Sequence, residues 1–401
     1  MSPSLLIPVI YLAFISLGLP DSVLGVAWPS MRPSLGAPLE AAGLVGLLLM
    51  SCSAVSSVAS GYLNKRFGTG RIVLASSALT ALGLFGYSLA PSFAWILVSA
   101  LPLGLGGGGV DSSLNGYVAS HYSSRHMNWL HASWGVGATI GPILMTAFLA
   151  AGSWRSGYRA ISGIQAVLAL LFLLSLGLWD RVGTTRQEAA ARQGEAARRE
   201  ADPEPTAGEG RAKPRIGGMR RIEPWIQVAM YAVYTACEFS VGIWMVSMLR
   251  ESRGIPANVA GNWASLYYGG IMAGRILTGF VSDRLGNRFM ARLGTGVAAA
   301  GCVLLCLRSP DWLALPGLLL LGLGFAPIYP CMMHETPERF DDDTYRRVIG
   351  LSVGAGCVGG SVLPGLVGVL MSSTTLEALG PCVGALILAL ALLSEALNRR
   401  T

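Results

Sequence analysis

Three carboxylates stand where carboxylates are costly. Asp21, Asp111 and Glu238 each interrupt a long apolar run. A charge at the centre of a bilayer costs about 2.5–3.5 kcal/mol on insertion scales, so each of these residues needs a reason to be there. Burial in an apolar cavity disfavours the charged form of a carboxyl group, which lets it take up and release a proton near neutral pH. That is the chemistry of proton coupling, with Asp111 as the main coupling acid and Asp21 and Glu238 beside it. The competing reading is a structural acid, bonded to a helix end or paired with Arg275, the one base inside a span. His131 divides the same way, into a proton relay or hydroxyl partner and a packed interface residue.

Other residue types suit a small polar solute. Asn115 follows Asp111 by one helical turn and shares its face. Asn115, Asn128 and Gln227 offer donors and acceptors, while Trp28, Trp134, Trp244, Trp263, Tyr267 and Tyr329 offer aromatic faces that suit sugar rings. Trp and Tyr also mark the two interfaces of a membrane, and Trp95, Trp179 and Trp225, near span ends, fit such belts. His121 and His126 fall in an expected loop, solvated, and His334 and Glu335 close a span at its cytoplasmic edge.

The elements that must position these groups are membrane helices. Of 401 residues, 52% are hydrophobic and 13% charged, against roughly 25% charged in soluble domains. That excludes a soluble enzyme, a disordered tail protein and a disulfide scaffold. Apolar stretches predict twelve spans at about 4–30, 40–63, 72–91, 94–119, 128–151, 157–179, 224–249, 258–281, 290–308, 312–333, 346–372 and 376–397. The expected fold is therefore all-α, with residues 1–180 and 224–401 as six-helix halves around a central cavity and 181–223 as a polar cytoplasmic linker. Of the 29 Lys and Arg, 22 fall on the side that carries both termini and six on the other. This bias makes that side cytoplasmic and the protein a multi-pass component of the inner (plasma) membrane. It also accounts for the net charge of +7 without nucleic acid. The seven Cys lie in apolar runs without metal-type pairing, and no phosphate loop, metal cluster or catalytic triad is present. No cofactor is expected, and the energy must come from an ion or solute gradient.

The halves read as one unit written twice. At an offset of 218, Gly43 and Gly61 map onto Gly261 and Gly279, Arg32 onto Arg250, and Leu103-Gly104-Leu105-Gly106 onto Leu321-Gly322-Leu323-Gly324. In the fifth and eleventh spans Gly135, Gly137 and Gly141 match Gly354, Gly356 and Gly360 at an offset of 219. Parallel repeats of this kind rock about a midplane site to give alternating access.

The loop after the second span, Gly61-Tyr-Leu-Asn-Lys65-Arg66-Phe-Gly68, and its mate Gly279-Phe-Val-Ser-Asp283-Arg284-Leu-Gly286 resemble the G-x-x-x-D-R-x-G motif of the major facilitator superfamily. The resemblance covers the whole chain and implies loops whose acid and base latch neighbouring helices and bias the switch. Lys65 stands where the first acid belongs. Asp111-Ser-Ser-Leu-Asn115 and Phe325-Ala-Pro-Ile-Tyr-Pro330 are similar to the fucose–galactose–glucose:proton symporter group, in which such an acid handles sugar and proton. Asp replaces that group's Glu, and Trp134 and His131 replace its Asn and Gln, so hexose specificity is not carried over. The resemblance implies a monomeric proton-coupled symporter of a sugar-like solute, its partners being solute, protons and lipid. Two rivals stand beside it. Gly137-Ala-Thr-Ile-Gly141-Pro142 resembles part of an efflux antiporter motif, without its closing Gly pair, and a non-transporting sensor is the other.

Overall fold

In hydrocarbon a backbone must satisfy its own polar groups, and a helix does so within one segment. The structure is a computed structural model that describes residues 6–122, 124–179 and 218–401; those residues are helical almost throughout, without a strand. The expected linker lies outside the described residues up to 217. The N-terminal half holds spans Leu6–Ser34, Ala41–Phe67, Thr69–Leu89, Phe93–His121, Ser124–Ala150 and Trp154–Leu174. The C-terminal half holds Ile222–Ser252, Ala257–Leu285, Asn287–Cys306, Asp311–Arg339, Asp342–Ser373 and Leu376–Asn398.

Eleven of these described helices are long and apolar enough to cross a membrane. The remaining one, the eighth span Ala257–Leu285, has 29 residues, but Asn258, Asn262, Ser265 and Arg275 lower its hydropathy. It packs along the fifth and tenth spans, so much of its surface meets protein instead of lipid. That is why it tolerates polar residues that a lipid-facing helix would not.

Two spans are broken, and proline breaks both. The first divides at Ser22 into Leu6–Asp21 and Val23–Ser34, with Pro20 just before the break. Pro20 has no N–H to offer the Ser16 carbonyl. Gln165 of the sixth span supplies the missing donor: its Nε2 bonds the Ser16 carbonyl, and Ser16 Oγ donates back to Gln165 Oε1 at 2.6 Å. The tenth span breaks between Phe325 and Ile328, at Ala326-Pro327. There the Tyr234 hydroxyl of the seventh span, whose one proton is shared with Glu238, lies 3.2 Å from the Phe325 carbonyl.

The repeat survives as packing. A Cβ on Gly104 would meet the Leu49 carbonyl, and one on Gly322 would meet the Tyr267 carbonyl. Gly106 faces Ser76 and Thr80, while Gly324 faces Gly294 and Ala298. Gly83 faces Ser99 and Leu103, while Gly301 faces Gly317 and Leu321. Every one of these partners sits at the same offset of 218 as its glycine. Removing a side chain lets backbones touch, and van der Waals contact is the main glue between helices in lipid. The loop glycines repeat as well: Gly68 and Gly286 end their helices at φ 84° and φ 80°, a backbone that only glycine adopts without strain.

The halves meet through the first and seventh, second and eleventh, and fifth and eighth spans. Gly25 lies against the Gly242 carbonyl, and a Cβ on Gly43 would stand 2.6 Å from the Gly365 Cα. Above them Arg32 Nη2 pairs with Glu251 Oε2 at 2.5 Å, and Arg250 Nη1 donates to Ser30 Oγ at 2.9 Å. Arg32 and Arg250 are repeat mates, and each reaches into the opposite half. The Gly25, Gly43, Arg32 and Arg250 contacts lie toward the ends of the spans remote from the termini, while the fifth–eighth contact runs on to mid-span, where Gly135 meets Met272. Toward the other end Gly61, Gly350 and Gly354 have open space around them, and Leu6–Asp21 packs on spans of its own half. The bundle is sealed at one end and parted at the end that carries the termini. Gly43→Val should push the sealed end open, since overpacking a tight contact costs about 1–3 kcal/mol. The expected outcome is faster maleimide labelling of a cysteine placed at Ser30, over the native-cysteine background; unchanged labelling would mean that the halves do not touch there.

Candidate transport site

Asp21 ends the first helical segment and lies midway along its span, yet it is exposed to solvent. That combination belongs to a side chain lining a deep crevice. Trp134 of the fifth span donates from Nε1 to Asp21 Oδ2 at 2.9 Å. The approach is local: Gly18, one turn before the break, leaves room for the Trp134 carbonyl. On the fourth span Asn115 Nδ2 donates to Asp111 Oδ1 at 2.9 Å, closing the one-turn pair. Asp21 and Asp111 are near enough for their charges to act on each other. A Tyr329 ring and the Cys357 thiol from the C-terminal half feel Asp111 in the same way.

Across the crevice Glu238 is held from three sides. Tyr234 donates to its Oε2 at 2.5 Å, Tyr267 donates to its backbone carbonyl at 3.1 Å, and Arg275 Nη2 stands 3.7 Å from its Oε1. Tyr329 packs edge-on to Tyr231 at 5.2 Å and tilted to Tyr234 at 5.9 Å. The Arg275 guanidinium lies 5.1 Å over the Trp134 ring. A continuous polar chain therefore crosses from one half to the other: Asp21, Trp134, Arg275, Glu238, Tyr234. In a medium of low dielectric such contacts are strong while made, and an unpartnered member is costly.

Other expected site residues lie away from this chain. Trp28 and Trp244 are fully buried, and their indole N–H groups bond the Leu39 and Pro364 carbonyls, both at 2.8 Å. Tyr267 is also fully buried, with its hydroxyl committed to Glu238. In this conformation these three rings are packing residues with no face on the crevice. Gln227, read as a solute donor, instead bonds the Met332 carbonyl and Thr336 inside the C-terminal half. His131 is half-buried edge-on to Phe14 at 5.8 Å, within the field of Arg275. The side chains of Asn128 and Asp283 lie outside what is described. Lys65, Arg66 and Arg284 are exposed beside Gly61, Gly68, Gly279 and Gly286, and Arg66 contacts Tyr62 and Phe67 of its own helix end.

Three expectations need correction. His121 ends the fourth span, stacked on Tyr117 at 4.0 Å, and is no loop residue. His126 sits within the fifth span, its Nδ1 2.8 Å from the Tyr11 hydroxyl. Trp179 is buried edge-on to Tyr117 instead of lying in a belt, because Gly70 makes room for its ring. Tyr234, and Tyr268 edge-on to Trp134 at 6.5 Å, also belong to the site, and nothing in the sequence separates them from belt residues. Arg275 carries its signal openly, as the lone Lys or Arg inside a span, although its residue type alone does not tell a ligand for a solute from a partner for an acid.

Known proteins bear on this geometry. The model of the Major Facilitator Superfamily matches residues 10–364. The chain is 24% identical over 372 residues to the cis,cis-muconate transport protein of Acinetobacter baylyi, covering 90% of this chain and 86% of that one. It is 23% identical over 311 residues to the glucose/mannose transporter GlcP of Bacillus subtilis, covering 74% and 70%. The crystal structure of a D-xylose-proton symporter superposes with a TM-score of 0.72 at 15% identity, covering 97% of this chain and 96% of that chain, a likeness of fold. The relatives are transporters, not enzymes, and with eleven helices among the described residues able to span a membrane the chain belongs to the Major Facilitator Superfamily, as a multi-pass membrane transporter of small molecules.

Proposed function

We propose that the protein is a proton-coupled symporter of a small polar solute, of the sugar or sugar-like class, working as a monomer by alternating access. The observation that carries this reading is the polar chain joining the halves, which runs from solvent-exposed Asp21 to the partly accessible Arg275–Glu238 pair. A solute that binds there competes for groups that hold the halves together, and that competition is what moves a rocking-bundle equilibrium. Asp111 is the coupling acid, with Asp21, Glu238 and His131 around it. Asn115, Trp134 and Tyr329 contact the solute, and Asn128 joins them. The loops at Gly61–Gly68 and Gly279–Gly286 bias the switch at the open end. The positive side faces the cytoplasm of an inner membrane, with both termini inside and residues 181–223 linking halves 1–180 and 224–401.

The relatives support the class of cargo. One is named for glucose and mannose, another for muconate, and the fold neighbour for xylose and protons. All are small and polar, and none is an amphipathic drug.

Counterflow in proteoliposomes tests the reading. Asp111→Asn should keep solute exchange and lose accumulation driven by a pH gradient, because the amide keeps the Asn115 contact but carries no exchangeable charge. Movement of lipophilic dyes alone, outward against proton entry, would replace the symporter with an efflux antiporter. Trp134→Phe should keep the ring beneath Arg275 and lose the donor to Asp21. At about 1.5 kcal/mol for a bond to a charged group, its half-saturation concentration should rise roughly tenfold with folding retained, read as the concentration dependence of exchange.

A further inference from the structure

We infer that the solute carries a carboxylate, bound by Arg275; this rests on the transport reading above and names the chemistry of its cargo.

The observation is a cation that its acid does not fully engage. Arg275 stands 3.7 Å from Glu238, beyond the 2.7–2.9 Å of a charge-assisted hydrogen bond. Glu238 is held instead by Tyr234, whose phenol occupies Oε2 at 2.5 Å. Tyr234 also lies within reach of Arg275. A guanidinium has five N–H donors in a flat fork, and here one face rests on Trp134 at 5.1 Å. The edge remains for a ligand, and the side chain is 16% accessible, on the crevice. A flat fork stacked on an aromatic ring is suited to bidentate recognition of a carboxylate, which a neutral hydroxyl cannot match.

The charges around it point the same way. Glu238, Tyr234, Tyr329 and His131 are the titratable groups next to Arg275, and Asp21 and Asp111 stand one residue further out, against Trp134 and Tyr329. With all three acids ionised, an incoming anion meets net negative charge; with Asp21 and Asp111 protonated, Glu238 and Arg275 cancel and the fork is free to act. The anion and the protons then need each other, which is symport. Binding also draws Arg275 from Glu238 and Trp134, loosening the polar chain between the halves.

The test is counterflow without a pH gradient, comparing glucuronate, gluconate and cis,cis-muconate with glucose and xylose. The expected result is that at least one acid exchanges ten or more times faster than either neutral sugar. A neutral sugar exchanging as fast as its acid overturns the inference and leaves the symporter standing. If neither acids nor sugars exchange, the symporter falls and the inference with it. Two variants separate binding from mere structural pairing. Arg275→Gln should lose exchange of the acid, while Glu238→Gln should lower the half-saturation concentration severalfold by freeing the fork. If Glu238→Gln instead weakens acid exchange as much as Arg275→Gln does, and both lose thermal stability in detergent to the same extent, the pair is structural and the inference fails.

Discussion

The arginine at 275 is the interaction on which the rest of the structure turns. It is a cation in a span, kept there by a carboxylate on one side and an indole face on the other. The carboxylate belongs to its own half and the indole to the opposite one, so the balance between them is also a balance between the halves. In water such contacts would be worth little. Arg275 and Glu238 are only 16% and 10% accessible, so the dielectric about them is below that of water, and rearranging a single charge there can shift a two-state equilibrium. The eighth span is accordingly more polar than a lipid-facing helix can be, and it is wrapped by the fifth and tenth. Its polarity and its burial are one fact seen twice.

Around that centre the scaffold is built for sliding. Glycines at matched positions bring backbone against backbone within each half, which makes each half stiff without long side chains that interlock. Between the halves the sealed end uses the same small-residue contacts, Gly25 on Gly242 and Gly43 by Gly365, with a reciprocal pair of arginines above them. Contacts made by small residues and exposed ion pairs are shallow and can be broken and remade. An interface of large interdigitated side chains would hold one state only. The helix breaks at Ser22 and at Ala326 put Asp21 and Tyr329 beside the crevice, and each break has its freed or neighbouring carbonyl met by a side chain from another span.

Much of this was legible in the sequence because the bilayer imposes simple rules. Span lengths, the two halves and the charge-bearing loops follow from hydropathy and from an offset that holds over several elements. The Asp111–Asn115 pair follows from helical spacing. What was not legible depends on which face of a helix meets which neighbour. Trp28, Trp134 and Trp244 look alike in the sequence, yet two are sealed on backbone carbonyls and one bonds Asp21. Nothing in the residue types distinguishes them; the distinction lies in tertiary packing. Arg275 was visible as an anomaly, but its link to Trp134 joins residues 141 positions apart and emerges only when the fifth and eighth spans are laid together.

The central claim is that solute and protons, by rewiring that chain, exchange a bundle closed at one end for one closed at the other. Double electron–electron resonance on two spin-labelled pairs tests it most directly: positions 36 and 258 across the sealed end, and positions 65 and 347 across the open end. Adding transported solute at acidic pH should lengthen the first distance and shorten the second in the same sample. Distances that stay fixed, or that change in the same sense at both ends, would contradict the account.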